Sequence, residues 1–312
     1  SVKKAAVSSV SPIATRVGVE VLRRGGNAVD AAVAVAFALA VTHPQSSVLG
    51  GGGFLLYFDA STRSVWALDF REVAPLTIKP AHLAGANGSI RQGGAVTVAV
   101  PGGVSGLSAA HGRFGNLAWN ALLKPAAALA REGLPVDVRL AAELARAKSE
   151  RSIDQVRSTA DAFYPDARPL AIGTRLRQNA LAETLDRIGE TGEAEFYRGT
   201  TARKIVAAIE QNGGVLNPRD LTEYQPVWRS PIRVDYRSYR IFTAPPPSDG
   251  GVILAEMFSI LNPYDLASFG FQSPRSIHLV AEASRRAFID RAQHAGDPAF
   301  ARIPLQELLS EE

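Results

Sequence analysis

Apolar residues recur at helical spacing near the start of the chain, where Ile13, Val17 and Val21 fall on one face behind Ser11-Pro12. Ser11 suits an N-cap, and Pro12 suits the first helical position, where its missing N–H costs nothing. Gly25-Gly26 stops that helix. The segment before it, Lys4 to Val10, reads as a short strand. Asn27 then caps a second helix, Ala28 to about Val41, which is small and apolar nearly all round. A helix without a polar face must be covered on every side, so the pattern predicts a layered α/β structure.

Four glycines, Gly50 to Gly53, lead into Phe54-Leu55-Leu56-Tyr57-Phe58, a continuous apolar run that predicts a strand buried on both faces. A turn through Asp59 to Ser64 leads to its hairpin partner, Val65 to Phe70. Arg71-Glu72 follows and opens a loop bounded by Pro75 and Pro80. A third strand is predicted over Ala95 to Val100, then Pro101-Gly102-Gly103 and a helix to about Arg113. From Trp119 to about Leu221 the pattern is mainly helical. Strands return at Ile232 to Tyr236 and Arg240 to Thr243, followed by Pro245-Pro246-Pro247-Ser248-Asp249-Gly250-Gly251 and a helix from Val252. A last helix runs from Ser273-Pro274 to near Arg291. With no internal repeat and no low-complexity linker, strands first, helices in the middle and strands again predict one interwoven domain over residues 1–312.

Composition narrows the function classes. The 312 residues are 46% hydrophobic and 21% charged, which is ordinary for a globular protein and excludes disorder. The net charge of +4 comes from Arg interleaved with Asp and Glu; no Lys/Arg run tracks a phosphate backbone, which argues against nucleic acid. No cysteine is present, so disulfides and thiolate metal sites are excluded. The stretch from Ala28 to Val41 is far short of the ~20 residues of a bilayer span. Ser1 carries neither an initiator methionine nor a charged-then-apolar leader, so a targeting segment has been removed or the start trimmed.

Local motifs give no self-contained catalytic set. The four glycines precede a strand, whereas a phosphate loop opens a helix, and no Gly-Lys-Ser/Thr follows them. Gly102-Gly103-Val104-Ser105-Gly106 lies between a strand and a helix, but Pro101 stands where the dinucleotide fingerprint needs its first glycine. Both clusters read better as tight turns in a crowded sheet. Ser105 has glycines at 103 and 106, the wrong spacing for a nucleophile elbow. The histidines (His43, His82, His111, His278, His294) are scattered. His278 and Glu282 could share a helix face, yet no third metal ligand accompanies them. Arg71 differs: it follows a buried strand and opens a proline-bounded loop, a rigid support for a ligand-facing side chain. Its guanidinium can meet a carboxylate through two parallel hydrogen bonds. Pairing with a nearby acid at the surface is the plainer alternative from pattern alone.

An ordered series of segments nevertheless resembles one family. Gly25-Gly26-Asn27-Ala28-Val29-Asp30-Ala31-Ala32-Val33-Ala34, Pro44-Gln45-Ser46-Ser47 leading into Gly50 to Phe54, and Asp69-Phe70-Arg71-Glu72-Val73-Ala74-Pro75 are similar to γ-glutamyltranspeptidases. Val100-Pro101-Gly102, Phe196-Tyr197-Arg198-Gly199, Asp220-Leu221-Thr222-Glu223-Tyr224, the Pro-Pro-Pro-Ser-Asp-Gly-Gly turn, Glu282-Ala283 through Arg291 and Gly296-Asp297-Pro298 follow in the family's order. Val48 stands where the family commonly has glycine, and Asp249 where a second serine is usual.

The resemblance implies the four-layer αββα sandwich of N-terminal-nucleophile hydrolases, shared between a large subunit, this chain, and a small subunit cut from the same precursor. It implies that the nucleophile is the small subunit's N-terminal threonine, whose own amine can serve as base, so that no catalytic residue lies in this chain. Arg71 would bind the α-carboxylate of a γ-glutamyl donor such as glutathione, and the acyl group would pass to water, an amino acid or a peptide. No metal and no organic cofactor is implied, and the location is periplasmic or secreted. Cephalosporin-acylase or poly-γ-glutamate activity on the same fold stays open. So does a truncated, non-enzymatic homologue, because no Asp-x-Gly-Thr-Thr/Ser-His cleavage motif occurs before Glu312.

Overall fold

The computed structural model describes residues 5–85, 88–91, 93–151 and 156–310. Contacts divide the chain into two units, each assembled from separated stretches: Ser1–Gly53 with Phe70–Pro226, and Phe54–Asp69 with Val227–Glu312.

In the first unit, α1 (Pro12–Arg23) begins at Ser11, whose hydroxyl accepts the Ala14 N–H. Residues 5–10 ahead of it pair in no strand, and Lys4 lies outside the described residues, so the strand predicted over 4–10 is not found. The next helix, α2 (Ala28–Thr42), opens with a reciprocal cap: Asn27 accepts the Val29 and Asp30 N–H groups, and Asp30 accepts the Asn27 N–H. Asp30 is wholly buried, and its carboxylate also accepts the N–H groups of Asn116 and Leu117. Those donors let one charge sit on a helix that is otherwise apolar all round. As expected from its composition, α2 is buried along nearly its whole length, with Phe37 meeting the Trp119 ring edge-on at 5.5 Å.

The chain then gives a hairpin, β1 (Phe54–Asp59) and β2 (Ser64–Asp69), to the second unit and returns at Phe70. A short turn of helix, α3 (Pro80–Leu83), precedes α4 (Gly103–Phe114). The third predicted strand is replaced by a 3-10 turn over Ala95–Thr97, with only Val100 bridging, to Val73. Gly94 enters that turn at a φ of +91° and Thr97 closes it onto the Gly94 carbonyl, so its backbone bonds are met locally rather than across a sheet.

The helical middle is α5 (Trp119–Glu132), α6 (Val138–Arg151), α7 (Arg157–Phe163), α8 (Asn179–Thr191), α9 (Ala194–Tyr197), α10 (Thr200–Gln211) and α11 (Pro218–Glu223). Two-residue strands β3 (Leu134–Pro135) and β4 (Arg175–Leu176) pair within it. α5 packs against both α2 and α8. Leu122, Leu123, Leu185 and Ile188 are fully buried along these helices.

In the second unit β2 lies between β1 and β5 (Val227–Arg229), antiparallel to both. Arg229 grips Asp69 at 2.9 Å across that pairing. β1 departs from expectation: burial alternates along it, leaving Leu56 and Phe58 at 44% and 58% exposure. A second hairpin, β6 (Ile232–Tyr236) and β7 (Tyr239–Thr243), packs on α12 (Asp249–Leu261). Ile232, Val234, Val252 and Ala255 form the core there, with Leu305 and Leu308 of α14 (Leu305–Leu308) beside them. α13 (Pro274–His294) runs alongside α12. Among the described residues no helix is long and apolar enough to cross a membrane.

Candidate functional site

Arg71 is exposed, and the backbone beneath it is fixed from three directions within the first unit. Phe70, the buried residue before it, exchanges both backbone hydrogen bonds with Gly53 at 3.0 and 3.2 Å. Val73, two residues on, is paired with Val100 in the same manner. Between them, the Arg71 carbonyl accepts a hydrogen bond from the Tyr224 hydroxyl at 2.9 Å. The loop carrying Arg71 is therefore not a flexible excursion; its main-chain groups are committed on either side of the guanidinium-bearing residue.

The two glycine clusters explain how these segments come this close. The Gly51 carbonyl accepts the N–H groups of both Gly102 and Gly103, at 3.0 and 2.9 Å. A Cβ on Gly52 would overlap the Phe70 carbonyl, and one on Gly102 would overlap both that carbonyl and the Tyr224 hydroxyl. The clusters are thus crowded crossings, as their sequence context suggested, and not phosphate cradles. Val48 sits over Gly103, where any side chain on the glycine would strike the Val48 carbonyl.

Two tyrosines underlie this crossing. Tyr197 and Tyr224 stack nearly parallel, their centroids 5.8 Å apart and their planes 8° off. The Tyr197 hydroxyl donates to the Pro101 carbonyl at 2.9 Å and accepts the Ser105 N–H at 3.2 Å. Burial pushes the Tyr197 phenol well above its ordinary range, so it stays protonated and able to donate. The far side of the loop is held by Asp220, 3% exposed, which accepts the Leu76 N–H at 2.7 Å and the Asn217 N–H at 2.7 Å. Thr77 adds a bond to the Val215 carbonyl at 3.2 Å.

The other sequence candidates are occupied elsewhere. His43 is bonded to Gln45, His82 accepts the Lys79 N–H, and His111 meets the Leu117 carbonyl. None of these bonds joins a histidine to a hydroxyl nucleophile. Glu282 is held by Arg285 and Arg286, whose hydrogen bonds bring its carboxyl down to about 2, so it is committed to a salt-bridge fork and not to His278. Asp249 pairs with Arg291 at 2.8 Å. Tyr224 and Asp220 were visible in the sequence only as members of a motif; their bonds to residues 71 and 76 span well over a hundred positions and leave no local signal.

The family model described as gamma-glutamyltranspeptidase matches residues 14–312. The glutathione hydrolase proenzyme of Escherichia coli is 40% identical over 310 residues, covering 98% of this chain and 53% of the relative. The chain thus spans about half the length of that curated relative. Among solved structures, Helicobacter pylori gamma-glutamyltranspeptidase superposes with a TM-score of 0.95 at 34% identity, covering all of this chain and 90% of that one. A cephalosporin acylase from Bacillus halodurans follows the same fold with a TM-score of 0.88 at 32% identity, over 96% of this chain and 56% of that one. The mixed α/β fold inferred from the hydrophobic pattern is the fold of these enzymes, and the chain belongs to the γ-glutamyltranspeptidase family.

Proposed function

We propose that this chain is the large subunit of a γ-glutamyl acyltransferase and hydrolase. The complete enzyme would cleave γ-glutamyl amides such as glutathione, carry the γ-glutamyl group on the N-terminal threonine of a small subunit, and deliver it to water, an amino acid or a peptide. The match to a glutathione hydrolase proenzyme along nearly the whole chain carries this reading. It is supported by histidines engaged in bonds that build no nucleophile–base pair, which suits a nucleophile supplied by a partner. The exposed apolar face of β1, with Leu56 and Phe58, suits a partner chain as well. In this reading the enzyme acts outside the cytoplasm, in the periplasm or after secretion.

Within it, Arg71 holds the donor's α-carboxylate. A planar guanidinium fork on a fixed backbone is what two parallel hydrogen bonds to a carboxylate require. Arg71→Ala in the full-length gene product leaves that carboxylate unpaired, a loss of ~2–5 kcal/mol, or roughly thirty- to several-thousand-fold in kcat/KM. Steady-state hydrolysis of γ-glutamyl-p-nitroanilide measures it, and parent-like rates in the variant would refute the anchor. The likeness to a cephalosporin acylase favours a second reading in which the same scaffold prefers a glutaryl donor. Relative turnover of glutaryl and γ-glutamyl anilides separates the two.

A further inference from the structure

An arginine that recognises a carboxylate in two parallel bonds must hold its fork to within about 0.5 Å and 10–20°. A long side chain on a loop does not meet that tolerance unless the peptide it springs from is fixed. Around Arg71 the fixing is uneven. The residue before it is tied through both main-chain groups to Gly53, whereas the Arg71 carbonyl accepts a side-chain hydrogen bond, from the Tyr224 hydroxyl. That carbonyl sets the plane of the Arg71–Glu72 peptide, and with it the direction in which the side chain leaves the backbone.

The tyrosine is itself held on several sides. Its ring stacks on Tyr197, which is pinned to the Pro101 carbonyl; its hydroxyl fits only because Gly102 has no side chain; and it directly follows α11, whose Asp220 is bonded to Leu76 of the same loop. The Asp220-Leu221-Thr222-Glu223-Tyr224 segment therefore grasps the loop twice, at residues 71 and 76, through one side chain on the short helix α11 and one on the residue that ends it. A contact that served only to close the fold would not need to fall on the peptide of the one residue carrying the fork.

We infer that Tyr224 is a positioning residue for the donor carboxylate, acting through the Arg71 peptide. This rests on the assignment of Arg71 as the anchor. Tyr224→Phe keeps the stacked ring and removes one hydroxyl, so the fold persists while the Arg71 peptide loses its tether. The measurement is competitive inhibition of the full-length, processed enzyme by L-glutamate and by 4-aminobutyrate, which is glutamate without its α-carboxylate. γ-Glutamyl-p-nitroanilide is the reporter substrate.

Loss of one hydrogen bond's worth of positioning is expected to weaken L-glutamate about three- to tenfold and to raise the donor KM in step. Inhibition by 4-aminobutyrate and kcat stay within about twofold. Equal weakening of both inhibitors would mean general loosening of the site and would overturn the inference, as would no change in either. Arg71→Ala run beside it separates the two failures. If Arg71→Ala abolishes the preference for L-glutamate and Tyr224→Phe does not move it, the positioning role is wrong and the anchor stands. If neither variant moves it, the anchor itself is wrong.

Discussion

Two carboxylates, one in each unit, are equally buried and differently served. Asp220 beside the Arg71 loop and Glu256 on α12 are each 3% exposed. Asp220 accepts main-chain N–H groups on both of its oxygens, from Leu76 and Asn217. Neither oxygen of Glu256 meets a hydrogen-bond partner among the described residues. Burial therefore pushes the Glu256 carboxyl up to about 7, with the negative charge of Asp290 on α13 adding to the effect. The comparison separates burial from satisfaction. The same degree of exclusion from water yields a structural brace where donors converge and a proton-binding site where they do not.

The largest way to break the contrast is Asp220→Ala, which strands two N–H groups and removes the reciprocal half of the capping box of α11, leaving the Asn217 side-chain cap in place. A loss of about 3–5 kcal/mol is expected, read as a shift in the urea midpoint, because hydrogen bonds to a charged acceptor are worth more than neutral ones. A loss below 1 kcal/mol would mean that the brace is dispensable. Glu256→Met tests the other side, since methionine has nearly the same shape and asks for no partner. The folded pKa of Glu256 lies above the ordinary 4.5, so folding takes up a proton between about 4.5 and about 7. That contribution is present below 4.5 and is lost as the pH rises through 7. The variant should be more stable than the parent by about 3 kcal/mol at pH 8, with the gap closing towards pH 5. Parent stability that is flat from pH 5 to 8 would remove the contrast. The smallest expected effect is Thr77→Val, which removes one exposed bond to the Val215 carbonyl and should cost about 0.5–1 kcal/mol in the same unfolding assay. A larger loss would shift the weight of the brace away from Asp220.

What could be read along the chain was what short-range chemistry governs. Ser11, Asn27 and Ser273 cap their helices as their side chains dictate, and the apolar run after Asn27 is buried as its lack of a polar face requires. The helix expected from Val252 starts three residues sooner, at Asp249, whose carboxylate suits the first turn. The readings that failed concern pairing. The apolar alternation from Ala95 to Val100 resembles a strand, but a strand needs a neighbour, and only Val100 has one. A continuous apolar run such as Phe54 to Phe58 cannot tell burial on both faces from burial on one, because cover on the second face is not encoded within the run. At the site, Arg71 could be singled out by its place after a strand. Its braces could not: Tyr224 and Asp220 act across the fold, and nothing in their own neighbourhoods distinguishes them from any capped helix end.

The exposed face of β1 also bears on handling the chain in isolation. Phe54-Leu55-Leu56-Tyr57-Phe58 holds no charge, no proline and no glycine, and β1 stands at the end of its three-stranded sheet. Such an edge is a template for further strands, and copies produced without cover will add to one another there and collect as insoluble aggregate. If the small subunit proposed above supplies that cover, recombinant yield will follow co-expression with it more closely than temperature or inducer. Where the chain must be made alone, a lysine at position 56 is the remedy of choice, because it charges the outward face and leaves the β1–β2 ladder intact.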